Sequence, residues 1–203
     1  MLKIYITRHG ETEWNVEGRM QGWKNSPLTQ KGITNAGALG KRLVDVDIDV
    51  IYSSSSQRAL HTAELIRGNR EIPVLADENL REINLGEWEG KSADEMENID
   101  REEQFAFWNT PHLYVPKSGE SFFQVQERVE AVLNKILSVH SNGNVLIVAH
   151  AIVVKVMMAA IKELPLEKLW EQPFVHGTSL SLVAFENDKG TVLMEGDMSH
   201  AAI

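Results

Sequence analysis

The 203-residue chain contains no cysteine. That excludes disulfide staples, thiolate metal sites and a cysteine nucleophile together. Nor is there any surplus of positive charge. Lys and Arg number 20 against 29 Asp and Glu, and the formal net charge of −9 repels nucleic acid and anionic lipid over most of the surface. A site for an anion must therefore be local. No apolar run approaches the roughly 20 residues that span a bilayer. The apolar start from Met1 to Thr7 is interrupted by Lys3 and ended by Arg8, too short for a signal segment. These absences lead us to expect a soluble, cytoplasmic protein that binds neither nucleic acid nor membrane. No repeat, low-complexity tract or linker divides the chain, and no G-x-x-x-x-G-K-[ST] loop offers a nucleotide cradle. With 43% hydrophobic residues, the chain can bury one sizeable core, so residues 1–203 are expected to form a single domain.

What is present is an alternation of strand-like and helix-like segments. Residues 2–7 (LKIYIT), 50–53 (VIYS) and 145–149 (VLIVA) are short β-rich runs. The last is almost wholly apolar, as suits a central parallel strand covered by helices on both faces. Helical periodicity marks 29–44, with Ile33, Ala36, Leu39 and Leu43 in phase, and 57–66, with Leu60, Ala63 and Ile66. The clearest helix is 122–139, opened by a capping box of Ser121 and Gln124. Residues 180–185 and 191–195, separated by NDKG, read as a hairpin. The pattern predicts an α/β fold, a three-layer α/β/α sandwich around a mostly parallel sheet. The less periodic stretch 94–118 holds Phe105, Phe107, Trp108 and Tyr114 and is expected to form a small helical cap over a site, with at least half of these rings packed in its core.

Two predicted strands end alike. ITRHGET and IVAHAIV each finish a β-run with a histidine followed by a small residue, and the second, His150, opens a helix. In open α/β sheets ligands bind beyond the carboxyl ends of the strands, so His9, with Arg8 beside it, and His150 should face one crevice. Arg58, in SSSSQRALHTAE, sits in the first turn of a helix, where the macrodipole disfavours a cation by about 0.3–1 kcal/mol. Such local violations tend to mark sites, although a surface arginine paired with Glu64 is the ordinary alternative. Glu82, in ENLREINLGEWEG, is an acid flanked by Leu80, Ile83 and Leu85; spacing alone does not distinguish it from an exposed acid.

Together these residues form a phosphoryl-transfer kit. Guanidinium groups match phosphoryl oxygens in bidentate fashion and stay charged. A neutral imidazole held in one tautomer attacks phosphorus in line, forming a phosphohistidine. A second imidazole, if protonated, stabilises charge on the equatorial oxygens. A carboxyl of raised pKa gives a proton to the leaving alkoxide and later takes one from water. This chemistry calls for no metal and no cofactor, and its partner is a small-molecule phosphomonoester.

TRHGETEWN, SPLTQKG, SSSSQRALHTAE, LREINLGEWEG, SGESF and VAHA, in that order, resemble the histidine phosphatase superfamily. The likeness is to the branch that contains the cofactor-dependent phosphoglycerate mutases and their small phosphatase relatives, and it runs from residue 4 to about 180. It implies a phosphoglycerate mutase-like fold. His9 matches the phosphorylated nucleophile, Arg8 and Arg58 the phosphate clamp, His150 the second pocket histidine and Glu82 the proton donor. Asn15 and Gln21 fall where the family places polar groups near the phosphate, with a turn asparagine and a surface glutamine as the ordinary alternatives. Thr178 lies near a family motif segment. Ala151 stands where the family usually has glycine, which predicts a slightly less close approach of backbone to phosphate there and is compatible with activity.

The mutases hold a phosphoglycerate carboxylate with basic residues from a long middle segment. Here that segment, EEQFAFWNTPHLYVPKSGE, has only Lys117 as a lysine or arginine, which favours hydrolysis. The chain resembles broad-specificity phosphatases whose caps admit rather hydrophobic esters. A mutase, a phosphatase dedicated to one metabolite such as a cobalamin precursor or a sugar bisphosphate, and a phospho-ligand binding module stay open as alternatives. The oligomeric state is not legible, and His61, His112, His140, His176 and His200 have no assigned role.

Overall fold

The computed structural model describes residues 1–201. Six strands form one sheet: β1 (Leu2–Arg8), β2 (Val50–Ser54), β3 (Val74–Asp77), β4 (Gly143–Ala149), β5 (Leu180–Glu186) and β6 (Lys189–Asp197). Their order is β3-β2-β4-β1-β5-β6. The pairs β3/β2, β2/β4 and β4/β1 are parallel, while β1/β5 and β5/β6 are antiparallel, so the sheet is mostly parallel with a hairpin added at one edge. Helices α1 (Glu13–Val16), α2 (Gln30–Arg42), α3 (Gln57–Arg67), α4 (Ala93–Ile99), α5 (Arg101–Asn109), α6 (Phe122–Val139) and α7 (Ala151–Ile161) complete the framework. Among the described residues no helix is long and apolar enough to cross a membrane.

Side-chain alternation along the strands builds the three layers. In β4, Val145, Ile147 and Ala149 join a core shared with α6 and α7, whereas Leu146 and Val148 join a second core shared with α2 and α3. Ile4 and Ile6 of β1 go to the first core and Tyr5 to the second. The fully apolar reading of residues 145–149 thus reflects burial on both faces. Helix α6 starts with the expected capping box of Ser121 and Gln124. The edge strand β3 was not anticipated: Leu75 and Ala76 are exposed, so its four residues carry no alternation to read.

Register decides where the site lies. Arg8 of β1 pairs with Ala149 of β4, so His9 and His150 leave the sheet side by side. From there the chain after β1 leads to α2 on one face, and His150 caps α7 on the other. A crevice opens where the two paths diverge.

The 94–118 stretch folds as α4, α5 and a single turn over Pro111–Leu113. Phe107 and Tyr114 are buried core residues, Phe105 is exposed, and only Trp108 of the four rings borders the crevice. The rings of Trp88, Trp108, Tyr114, Phe122 and Trp170 surround Phe107, with centroids 4.8–5.8 Å away. Deleting a ring at the centre of such a cluster leaves a cavity, so Phe107→Ala should cost about 3–5 kcal/mol of stability in a urea titration. A loss under about 1 kcal/mol would show that the segment packs independently of α6.

Candidate active site

The crevice is a cavity of about 330 Å³ lined by Arg8, His9, Asn15, Gln21, Arg58, Glu82 and Ala151, among others. Its floor is the end of β1. The His9 Nδ1 lies 2.7 Å from the Gly10 carbonyl oxygen, which as an acceptor fixes the proton on Nδ1 and leaves the Nε2 lone pair free of it. Gly10 is itself held, its N–H donating to Thr62 Oγ1 at 3.0 Å, and Thr62 donates on to the Arg58 carbonyl at 2.7 Å. A Cβ on Gly10 would sit 2.8 Å from the Gly32 carbonyl oxygen, so the start of α2 packs too closely here for any other residue.

Arg58 is only 2% exposed, which excludes a surface arginine; Glu64 pairs with Arg67 instead. Its Nε donates to His9 Nε2 at 3.3 Å, and its terminal nitrogens donate to the carbonyls of Lys24 and Gly22 at 2.7 and 2.8 Å. Asn25 Oδ1 accepts from the Arg58 backbone N–H at 3.1 Å and so caps α3, whose own cap residue Ser56 makes no side-chain cap bond. Arg8 donates to the Val175 carbonyl at 2.9 Å, and its buried Nε has no partner among the described residues.

The His150 ring lies 5.1 Å from that of His9, edge to face. Its Nε2 is 2.8 Å from Ser54 Oγ and 3.2 Å from Ser56 Oγ, while the buried Nδ1 has no partner among the described residues. His150 itself does not line the cavity: it lies fully buried behind His9, while the unpaired guanidinium N–H of Arg8, which does line it, has no partner among the described residues. Glu82 accepts from the N–H groups of Ile83 at 3.0 Å and of Ile152, in the first turn of α7, at 3.3 Å.

Electrostatics follow from this packing. Burial, then the charges of Arg58 and Arg8, hold His9 well below the usual 6.5 despite its bond to Gly10. Burial and the same two arginines do so for His150. Both rings are therefore held toward the neutral form in the free protein. Burial pushes Glu82 up, against its two backbone hydrogen bonds and the arginines. Arg58 is brought down to about 10 by burial and remains charged at neutral pH.

A family model described as the histidine phosphatase superfamily (branch 1) matches residues 4–197. The chain belongs to this superfamily. Among solved structures, Bacillus stearothermophilus YhfR is 50% identical with a TM-score of 0.96, over 98% of this chain and 99% of that one. The adenosylcobalamin/alpha-ribazole phosphatase of Escherichia coli K12 is 31% identical over 83% of each chain. A probable phosphoglycerate mutase of Proteus mirabilis HI4320 is 32% identical over 98% of this chain and 95% of that one.

In this histidine phosphatase, Asn15 and Gln21 border the cavity but are largely engaged with the protein. Asn15 Oδ1 accepts from the Thr12 N–H at 3.1 Å, and Gln21 Nε2 donates to Thr12 Oγ1 at 2.6 Å. Ala151 borders the cavity as the first residue of α7. Thr178 is a correction: it does not line the cavity. It is fully buried behind Arg8, with its N–H donating to the Arg8 carbonyl at 3.1 Å and its hydroxyl 3.3 Å from His200 Nε2. Its motif-like position therefore reflects support of the strand end. Several wall residues went unread because they stand far apart in the chain: Trp14, Trp170, Phe174 and the half-buried Lys155, one turn along α7 from Ala151. Asn25, Ser54 and Thr62 were equally silent, since a short polar side chain gives no periodic signal.

The buried neutral histidines set an acid limit. Unfolded, each takes up a proton near pH 6.5; folded, it does so only at lower pH, so the unfolded state binds more protons below 6.5 and stability rises with pH there. Each contributes up to about 1.4 kcal/mol per pH unit between its folded pKa and 6.5. The urea midpoint should fall from pH 6.5 to 5, and His150→Gln should flatten that slope; an unchanged slope would contradict the assignment.

Proposed function

We propose that this protein hydrolyses phosphomonoesters through a phosphohistidine on His9. The observation that carries the reading is the His9 Nδ1 bond to the Gly10 carbonyl, which leaves Nε2 as the basic nitrogen beside two guanidinium groups and a second imidazole. In the free protein Arg58 Nε–H donates to that lone pair; a phosphoryl oxygen arriving in the cavity takes the donor over and releases the nucleophile. Nε2 then forms a bond to phosphorus as the bond to the leaving oxygen breaks. Arg8, Arg58 and His150 stabilise the charge on the equatorial oxygens. Glu82, protonated in the presence of a phosphate dianion, gives its proton to the leaving alkoxide. As a carboxylate it then takes a proton from water, whose oxygen attacks phosphorus while the bond to Nε2 breaks. The guanidinium pair supplies the charge stabilisation that a metal supplies elsewhere, so phosphate release in excess EDTA is expected to match that without it.

The leaving group faces Trp14, Leu85, Trp108, Ile152, Trp170 and Phe174. Apolar walls discriminate weakly between alcohols of similar size, which supports broad specificity with a bias to apolar and aromatic esters. Lys155 and Arg19 also border the cavity and give a second reading, in which an acidic substrate such as phosphoglycerate is held as in a mutase. A panel of p-nitrophenyl phosphate, aromatic and sugar phosphates, 3-phosphoglycerate and alpha-ribazole 5′-phosphate, with mutase activity assayed in parallel, separates these. Release from aromatic esters without mutase turnover is expected; mutase turnover with little release would favour the second reading. Silence across the panel would favour a binding module.

His9→Ala should abolish turnover while the far-ultraviolet circular dichroism stays unchanged, and substantial residual turnover would sink the covalent route. Glu82→Gln should slow glycerol phosphate about 100-fold or more but p-nitrophenyl phosphate far less, because p-nitrophenolate leaves without a proton. Equal slowing of both esters would remove Glu82 from the proton-donor role.

A further inference from the structure

The guanidinium of Arg58 is held by two backbone carbonyls, and those carbonyls are placed by a carboxylate outside the phosphoryl-transfer kit. Gly22 and Lys24, which accept from Arg58, lie in an irregular loop between α1 and α2. Backbone in such a loop has no helix or sheet ladder to orient it. Glu89, only 9% exposed, supplies the orientation. Its Oε1 accepts from the Trp23 N–H at 2.7 Å, and its Oε2 accepts from the Lys24 N–H at 3.2 Å. The Lys24 ammonium donates back to the Glu89 carbonyl at 3.1 Å.

The Gly22–Trp23 peptide is the telling element. Its C=O accepts from Arg58 and its N–H donates to Glu89, so one peptide unit is polarised by a cation at one end and an anion at the other. Hydrogen bonds linked in this way strengthen one another, and those to charged groups are the stronger kind. Glu89 is thereby a counter-ion to Arg58 at one peptide's remove, and its charge does favour the protonated guanidinium. Close fit supports the same reading. Gly22 has φ of +52°, and a Cβ there would lie 2.4 Å from Glu89 Oε1. Glu89 Oε1 also accepts, at 3.4 Å, from the Leu85 N–H, and Trp23 Nε1 donates to the Glu82 carbonyl at 2.9 Å. The carboxylate thus ties the Arg58 loop to the segment that carries Glu82.

We propose that Glu89 is a positioning residue: its carboxylate orients the 22–24 peptides so that they hold Arg58 with Nε turned toward His9 and an incoming phosphoryl group. This rests on the reading of Arg58 as a phosphate clamp. Glu89→Gln keeps the shape but removes the anion and replaces one accepting oxygen by an amide NH2; the Lys24 N–H keeps the Gln21 carbonyl at 3.0 Å, so the weakened partner is the Trp23 N–H, whose peptide carries the Gly22 carbonyl that holds Arg58.

The test is inorganic phosphate binding to the full chain by titration calorimetry, in wild type, Glu89→Gln, Arg58→Ala and the double variant. Each single substitution should weaken phosphate about tenfold or more. The double variant should bind within about twofold of Arg58→Ala, because a residue that acts through Arg58 has nothing left to act on. A merely structural glutamate would cost the same factor in both backgrounds, and losses that multiply would overturn the proposal. So would an affinity within twofold of wild type in Glu89→Gln while Arg58→Ala is weak. If Arg58→Ala itself binds phosphate normally, the clamp reading falls and the role of Glu89 falls with it, a pattern distinct from the others. Should Glu89→Gln fail to fold, Glu89→Asp, which keeps the charge but withdraws it by one methylene, is read in the same cycle.

Discussion

Among the described residues that line the cavity, Arg8, Arg58, Arg19 and Lys155 stand against one carboxylate, Glu82. That uncompensated positive charge is the constraint on which the site depends. Buried charge is costly unless it is paired or hydrogen-bonded, and here carbonyls of Gly22, Lys24 and Val175 take the donors while leaving the charge in place. The consequences run outward. Burial, and after it the neighbouring cations, hold His9 and His150 toward the neutral form, so that His9 retains a lone pair. In the proposed mechanism a phosphate dianion balances this charge.

The sheet supplies the geometry that such a charge cluster cannot supply for itself. Parallel register brings Arg8 opposite Ala149, so the two histidines emerge together. Ser53 of β2 is opposite Val148, which brings Ser54 level with the start of α7 and within 2.8 Å of His150. Arg8 and His9 stand at a strand end, Arg58 and His150 at helix starts, and Glu82, on irregular backbone, is tied to the start of α7 through the Ile152 N–H. Rigid placement of this kind lets neutral imidazoles and buried cations sit within hydrogen-bond reach without collapsing together.

Much of this was legible in the sequence, for identifiable reasons. Strands buried on both faces announce themselves as apolar runs, α6 by its periodicity and capping box, and Arg58 by violating the helix-dipole rule. The parts that were not legible lack a local signature. β3 is an exposed edge, the short α1, α4 and α5 are too brief for periodicity, and Glu89 and Lys155 owe their surroundings to contacts across the fold. Thr178 shows the opposite case, a position near a motif that is tied to the Arg8 carbonyl by its own backbone N–H and does not line the cavity.

The account stands or falls on a covalent bond between His9 and phosphorus. Rapid mixing of the protein with p-nitrophenyl phosphate, quenching in base, where phosphohistidine survives, and peptide mass spectrometry test it directly. One phosphoryl group on the peptide that contains His9, appearing in the first turnover and lost when substrate is exhausted, is the predicted result. Steady turnover with no phosphoryl group on His9 at any time, or with one on another residue, would contradict it.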